Sequence, residues 1–139
     1  MKLQVVWVGK TKSPQMAQLC DDYIKRIKHF LPLRIAEVRE SRLFTALDDS
    51  DRLVALDPRG KAWTSHGFAK FIQQHMTSDP RRLTFVIGDY AGLPEGIKKR
   101  ANLLWSLSPL TFTHDLTRVL LLEQLYRALS IINNLPYAK

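Results

Sequence analysis

The segment Phe85-Val86-Ile87-Gly88-Asp89-Tyr90-Ala91-Gly92-Leu93-Pro94-Glu95-Gly96 sets glycines directly after an apolar, β-branched run. At the carboxyl end of a buried strand, glycine lets backbone approach a ligand, and open α/β sheets bind small molecules in such crevices. Two readings fit the loop equally: a ligand cradle, or a tight strand-to-helix connection. The spacing is not G-x-G-x-x-G, so a dinucleotide fingerprint is not supported. The second residue out of place is Arg118. Leu122, Leu125 and Leu129 follow it at i+4, i+7 and i+11, which puts it on the apolar side of a helix. It also falls in the first turn, where the helix dipole disfavours a cation. Either it snorkels past the helix end to water, or it contacts an anion or substrate beside the glycine loop. The motifs G-x-S-x-G, H-E-x-x-H and G-x-x-x-x-G-K-[ST] do not occur, which argues against an α/β-hydrolase, a zinc hydrolase and a P-loop nucleotidase. His29, His66 and His75 read as surface or packing residues, and the four histidines together have no familiar metal-ligand spacing, so no metal is expected.

These residues need elements to hold them. Leu3 to Val8 is a continuous apolar run bounded by Gly9, as in a strand covered on both faces. Ser13-Pro14 then starts a helix with Leu19, Tyr23, Ile27 and Phe30 on one side. Leu33 to Val38 alternates like a half-exposed strand, and the polar stretch 39–51 has room for a short helix near Leu43 to Leu47. Leu53 to Leu56 reads as a buried strand closed by the turn Asp57-Pro58-Arg59-Gly60. Thr64 or Ser65 caps a helix carrying Phe68, Phe71, Ile72 and His75 on one side. Leu83 to Ile87 is a further buried strand, Pro94 to Leu104 a helix, Leu107 to Phe112 a short apolar segment, and Asp115 to Asn134 a long final helix. Buried strands alternating with helices predict an α/β fold with a parallel sheet flanked by helices. On the final helix Glu123, Arg127, Ser130 and Asn134 form one polar stripe. The opposite side is apolar over roughly half the circumference, which predicts cover by the sheet and a second helix, with self-association as the economical source.

Length and charge set the bounds. The chain has 139 residues, 45% hydrophobic and 24% charged, ordinary for one soluble domain spanning 1–139 with a real core. Its 21 Lys plus Arg against 13 Asp plus Glu give +8, which favours a polyanionic partner, nucleic acid before an acidic membrane surface. Cys20 is the only cysteine, so an internal disulfide is excluded and a reducing, cytoplasmic setting fits. No run approaches the length of a membrane span, and the apolar start is too short for a signal peptide.

LDPRGK at 56–61, FVIG at 85–88, WSLSPLTFTH at 105–114, RVLLLEQLYRA at 118–128 and PY at 136–137 occur in order along nearly the whole chain. Together they resemble the bacterial RlmH family, SPOUT-class methyltransferases that use S-adenosylmethionine to methylate N3 of a pseudouridine in large-subunit (23S) ribosomal RNA. The resemblance implies an α/β trefoil knot holding the cofactor, an obligate homodimer, and ribosomal RNA or the assembled ribosome as partner, with neither DNA nor membrane. By matching positions, Leu56, Gly88, Leu107, Ser108, Pro109, Leu110, Thr111 and Phe112 would hold the cofactor. Methyl transfer to an imide nitrogen then needs its proton removed, for which His114 and Tyr137 are the candidate bases. Tyr137 would need a strongly lowered pKa. Arg118 would bind RNA phosphate or stabilise charge developing on the base carbonyls, as would Arg127.

Three departures from the family pattern stand out. Asp89 occupies the place of a usual second glycine. The chain ends Tyr137-Ala138-Lys139 where the family has histidine after the tyrosine, so no role for that histidine carries over. The stretch between Val38 and Leu53 is short. Asp89 and Ala138 leave room for a non-catalytic ribosome-binding protein of the same fold. A SPOUT enzyme acting on transfer RNA is the third alternative, weakened because no appended RNA domain is present.

Overall fold

A computed structural model describes residues 1–138. Five parallel strands form one sheet: β1 (Leu3–Val8), β2 (Leu33–Val38), β3 (Arg52–Ala62), β4 (Leu83–Ile87) and β5 (Leu103–Ser106), in the order β2-β1-β4-β3-β5. Every residue of β1 and β4 is buried, which is why both read as unbroken apolar runs. Four helices follow the strands: α1 (Pro14–Lys28), α2 (Ser65–Ser78), α3 (Glu95–Arg100) and α4 (His114–Ile132). Ser13, Thr64 and Thr113 cap α1, α2 and α4, each side-chain oxygen accepting from a backbone N–H in the first turn. Among the described residues no helix is long and apolar enough to cross a membrane.

The sheet separates two cores. On one face Leu3, Val5, Trp7 and Phe85 meet α1, α2 and α4. On the other, Val6, Ala55 and Val86 meet Ile97 of α3 and Leu43, which lies between two 3-10 turns at Glu40–Arg42 and Phe44–Ala46. Those turns stand where a short helix was expected.

Four expectations are corrected. The helix expected over 94–104 stops at Arg100, and Leu103–Ser106 is an edge strand. Asn102 makes the difference: its N–H donates to Leu53 O at 2.8 Å while its side-chain oxygen accepts from Leu53 N at 2.8 Å, which docks the chain on β3. Asp57-Pro58-Arg59-Gly60 does not end β3. Leu56 and Lys61 both pair with Trp105, so the four residues loop out as a bulge and the strand resumes. Gly60 permits this, because a Cβ there would lie 2.5 Å from the carbonyl carbon of Leu104. Ser130, assigned to the polar stripe of the last helix, is fully buried and its hydroxyl donates back to Tyr126 O at 2.9 Å. Finally, the apolar side of α4 meets the sheet and neighbouring helices as expected, but those helices, α1 and α2, come from the same chain. The helix therefore supplies no separate argument for self-association.

α4 ends in a left-handed Asn134 (φ 57°), with Leu135 N donating to Ser130 O and Asn134 N to Ile131 O. This turn sends the tail back along the helix and brings Tyr137 against Glu123, Tyr126 and Arg127.

Candidate cofactor site and its neighbouring groove

β1 leads to β2 through α1, and its neighbour β4 leads the opposite way to β5 through α3, with the two helices on opposite faces. The loops after these strands diverge, and the carboxyl edge of the sheet opens there, where α/β sheets bind ligands. Two hollows occupy this edge.

The first, of about 290 Å³, lies at the ends of β3, β4 and β5. Its walls are mainly apolar: Leu56, Pro58, Ile87, Trp105, Leu107, Leu110 and Phe112. Trp105 is fixed from behind by Phe68, stacked at 4.3 Å between ring centroids. The stretch 107–113 is shaped by Ser108, whose hydroxyl accepts from Leu110 N at 3.0 Å and whose carbonyl accepts from Ser106 Oγ at 3.1 Å. Gly88 is required by packing against its own loop, since a Cβ would stand 2.7 Å from Gly92 carbonyl atoms. Gly92 is left-handed at φ 83°, and its N–H donates to Asp89 O at 2.8 Å. Asp89 closes the same turn by accepting from Ala91 N at 2.9 Å. The carboxylate in the usual glycine place thus serves the turn while still lining the hollow.

Two carboxylates, Asp57 and Asp89, line this hollow, and among its lining residues there is no lysine or arginine. Burial pushes the Asp57 carboxyl up, but the Arg59 N–H and the Lys98 ammonium outweigh it and hold the group below the usual carboxylate range. With Asp57 paired to Lys98, Asp89 is the lining carboxylate without a cationic partner among the described residues, and the mainly apolar walls suit a molecule with a flat aromatic portion.

The second hollow is an open groove of about 710 Å³ beside the first. Lys10, Lys12 and Arg118 line it, and Asp89, Tyr90 and His114 are common to both hollows. The Tyr90 and His114 rings are nearly parallel, 8° apart in orientation with centroids at 6.4 Å, and Tyr90 is 91% exposed.

Of the residues expected at the site, Leu56, Gly88, Leu107, Ser108, Leu110, Thr111, Phe112 and His114 line the first hollow, whereas Pro109 does not. Arg118 lines only the groove. It does not snorkel: it is 1% exposed, Nη2 donates to Val8 O at 2.7 Å, Nη1 donates to Thr11 Oγ1 at 2.9 Å, and the guanidinium sits 5.0 Å from the Trp7 ring centre. It ties the loop after β1 to α4, and its buried Nε has no partner among the described residues. Asp115 reinforces the tie by accepting from Lys12 N and Ser13 N. Tyr137 lines neither hollow. Its hydroxyl donates to Glu123 at 2.7 Å and pairs with Tyr23 at 3.0 Å, and burial together with these bonds pushes its pKa up, opposite to the direction a base needs. Arg127 is likewise engaged by Glu123. Asp57, Pro58, Trp105 and Tyr90 are lining residues that sequence reasoning missed; the first two were read only as a turn.

The class of protein these features define is an α/β protein with one parallel sheet, whose carboxyl edge carries a mainly apolar cavity next to a basic groove. The chain belongs to the SPOUT methyltransferase family, whose description, "Predicted SPOUT methyltransferase", matches residues 1–138. It is 40% identical to a protein of Trichlorobacter lovleyi named ribosomal RNA large subunit methyltransferase H, over 151 residues and 99% of each chain. It is also 40% identical to one of the same name from Coprothermobacter proteolyticus, over 139 residues and 100% of each. The latter match shows that a chain of this length, with its short middle region, occurs elsewhere in the family. Among solved structures, a probable methylase family protein from Haemophilus influenzae shares the fold at TM-score 0.65 and 12% identity, covering 99% of this chain and 70% of that one. A probable methyltransferase from Bordetella pertussis does so at 0.62 and 13%, covering 91% and 95%.

Proposed function

We propose that this chain is a one-domain, cytoplasmic enzyme that transfers a methyl group from S-adenosylmethionine to N3 of a pseudouridine in large-subunit (23S) ribosomal RNA. We propose further that it works as a homodimer and carries the family's trefoil knot. The observation that carries the reading is the first cavity: residues matched to the family's cofactor contacts converge there on an apolar space rimmed by Asp57 and Asp89. That chemistry fits a purine together with a sulfonium and an ammonium group. When bound, the cofactor would supply an electrophilic methyl group for the imide nitrogen, and the chain would have to supply a base for the N3 proton. Trp105, Leu107 and Phe112 offer apolar surface to the adenine, while backbone at Gly88 and along 107–112 can read its edge. His114, on the wall between cavity and groove, is the side chain placed to take the proton. Arg118 acts here by holding the loop after β1, and Tyr137 has no part in the chemistry of its own chain's cavity.

A non-catalytic role gains no support from Asp89, whose carboxylate closes a turn. Calorimetric titration tests the reading: one S-adenosylmethionine bound per chain is expected, and no binding refutes it. Mass measurement by light scattering at micromolar concentration tests the dimer, which a monomer's mass would refute.

A further inference from the structure

We propose that the basic groove between the loop after β1 and the start of α4 is the seat of the target nucleotide, with Lys10 and Lys12 on its phosphates and the Tyr90 ring as the platform on which its base stacks. The inference rests on the proposed methyl transfer and adds a place, a set of side chains and a direction of approach.

Four observations carry it. The groove and the cofactor cavity share a wall made by Asp89, Tyr90 and His114, so a base lying against that wall has its edge next to the cavity. The two hollows differ in charge. Lys10, Lys12 and Arg118 line the groove, whereas the cavity's lining holds no lysine or arginine, so an anionic acceptor belongs in the groove. Lys10 and Lys12 are exposed, and neither ammonium is paired with a carboxylate among the described residues. Of the two carboxylates in the groove, Asp115 is taken up by the N–H groups of Lys12 and Ser13, and Asp89 by Ala91 N–H. Finally, Tyr90 is 91% exposed, which leaves its ring free to stack on a ligand, and the ring runs parallel to His114.

Stacking on an aromatic face is how proteins hold a base that has left its helix, and it tolerates any base. Choice of the nucleotide then falls to edge contacts at His114, since Arg118 is buried and tied to Val8 and Thr11. The loop after β1 can present its lysines only because Arg118 and Asp115 fix it to α4.

The test uses the full chain, S-adenosylmethionine, and ribosomes from a strain lacking the modification, with cofactor affinity measured on the same preparations. In the Lys10→Ala/Lys12→Ala variant, cofactor affinity should stay within twofold of wild type. The slope of log(kcat/KM) against log salt should flatten by about one for each lysine removed. Tyr90→Ala should lower kcat/KM for ribosomes about tenfold or more, and Tyr90→Phe should restore it, because stacking needs the ring and not the hydroxyl. Lys25→Ala/Lys28→Ala, at the far end of α1, is the control and should leave the salt slope unchanged. Loss of cofactor affinity on removing Lys10 and Lys12 would overturn the proposal by assigning the groove to the cofactor. An equal flattening in the control would overturn it by showing that the charge acts diffusely, and full activity in Tyr90→Ala would overturn the stacking role. A wild-type chain that binds no cofactor would remove the underlying reading as well; a wild type that binds and methylates while the variants match it would remove this inference alone.

Discussion

Replacing Arg118 by alanine removes the one guanidinium that joins α4 to the end of β1. Two hydrogen bonds go, at 2.7 Å to Val8 O and 2.9 Å to Thr11 Oγ1, together with the stacking over Trp7. Arg118 is 1% exposed, so water does not readily replace what is lost. A buried carbonyl left unpaired costs about 1–3 kcal/mol. The cavity left by a truncated long side chain adds about 2 kcal/mol or more, and removal of a desolvated charge offsets part of the sum. The expected net loss is about 3 kcal/mol. Arg118→Met keeps most of the volume and lacks the donors, so it should lose only about 1–2 kcal/mol. Urea unfolding followed by circular dichroism reads both values. Alanine within about 0.5 kcal/mol of wild type would refute the argument that Arg118 is a structural tie, because surface-type substitutions fall in that range. Methionine as damaging as alanine would refute the division between lost volume and lost hydrogen bonds.

Asp51 is buried and held by Arg82 through two bonds of 2.8 Å; burial raises its pKa, but Arg82 and the Asp48 N–H outweigh that and hold it below the ordinary value. Because the folded pKa lies below the unfolded one of about 3.9, the pair's contribution is full above about pH 5 and is lost as pH falls. Asp51→Asn should therefore cost about 2–3 kcal/mol at pH 7 and flatten the acid limb of the stability curve; an unchanged acid limb would contradict this. Gly60→Ala forces a Cβ within 2.5 Å of β5 backbone, so it should destabilise by about 2 kcal/mol and weaken cofactor binding as the Leu56–Pro58 wall parts from Trp105, with calorimetry as the check. Cys20 is 3% exposed and burial pushes its thiol up to about 11. A disulfide reagent at pH 8 should modify the native chain about a hundredfold or more slowly than the urea-unfolded one, and equal rates would contradict the burial.

What could be read before the structure follows from periodicity and local chemistry. β1 and β4 were legible because strands buried on both faces are unbroken apolar runs, and α1 because Ser13-Pro14 marks its start. β5 was not, since a four-residue strand with three apolar residues has no period to separate strand from helix. The continuation of β3 through Asp57 to Gly60 was hidden because those residue types also make turns. Arg118 was legible as an anomaly but not in its partners, because Val8 and Thr11 lie more than a hundred residues away in sequence. The resemblance pointed to Leu56, Gly88 and five residues between 107 and 112 of the cavity's lining, and not to Asp57, Pro58, Tyr90 or Trp105. Of the groove's residues it gave His114 and Arg118 and missed Lys10, Lys12 and Tyr90, because these meet only when two loops converge at the carboxyl edge of the sheet.

Methyl transfer to ribosomal RNA is tested most directly by incubation with isotopically labelled S-adenosylmethionine and ribosomes from a strain lacking the modification, followed by mass spectrometry of RNA fragments. One labelled methyl group is expected, on N3 of a pseudouridine in the large-subunit RNA. Cofactor binding without any incorporation into RNA, or incorporation at a different nucleotide, would contradict it.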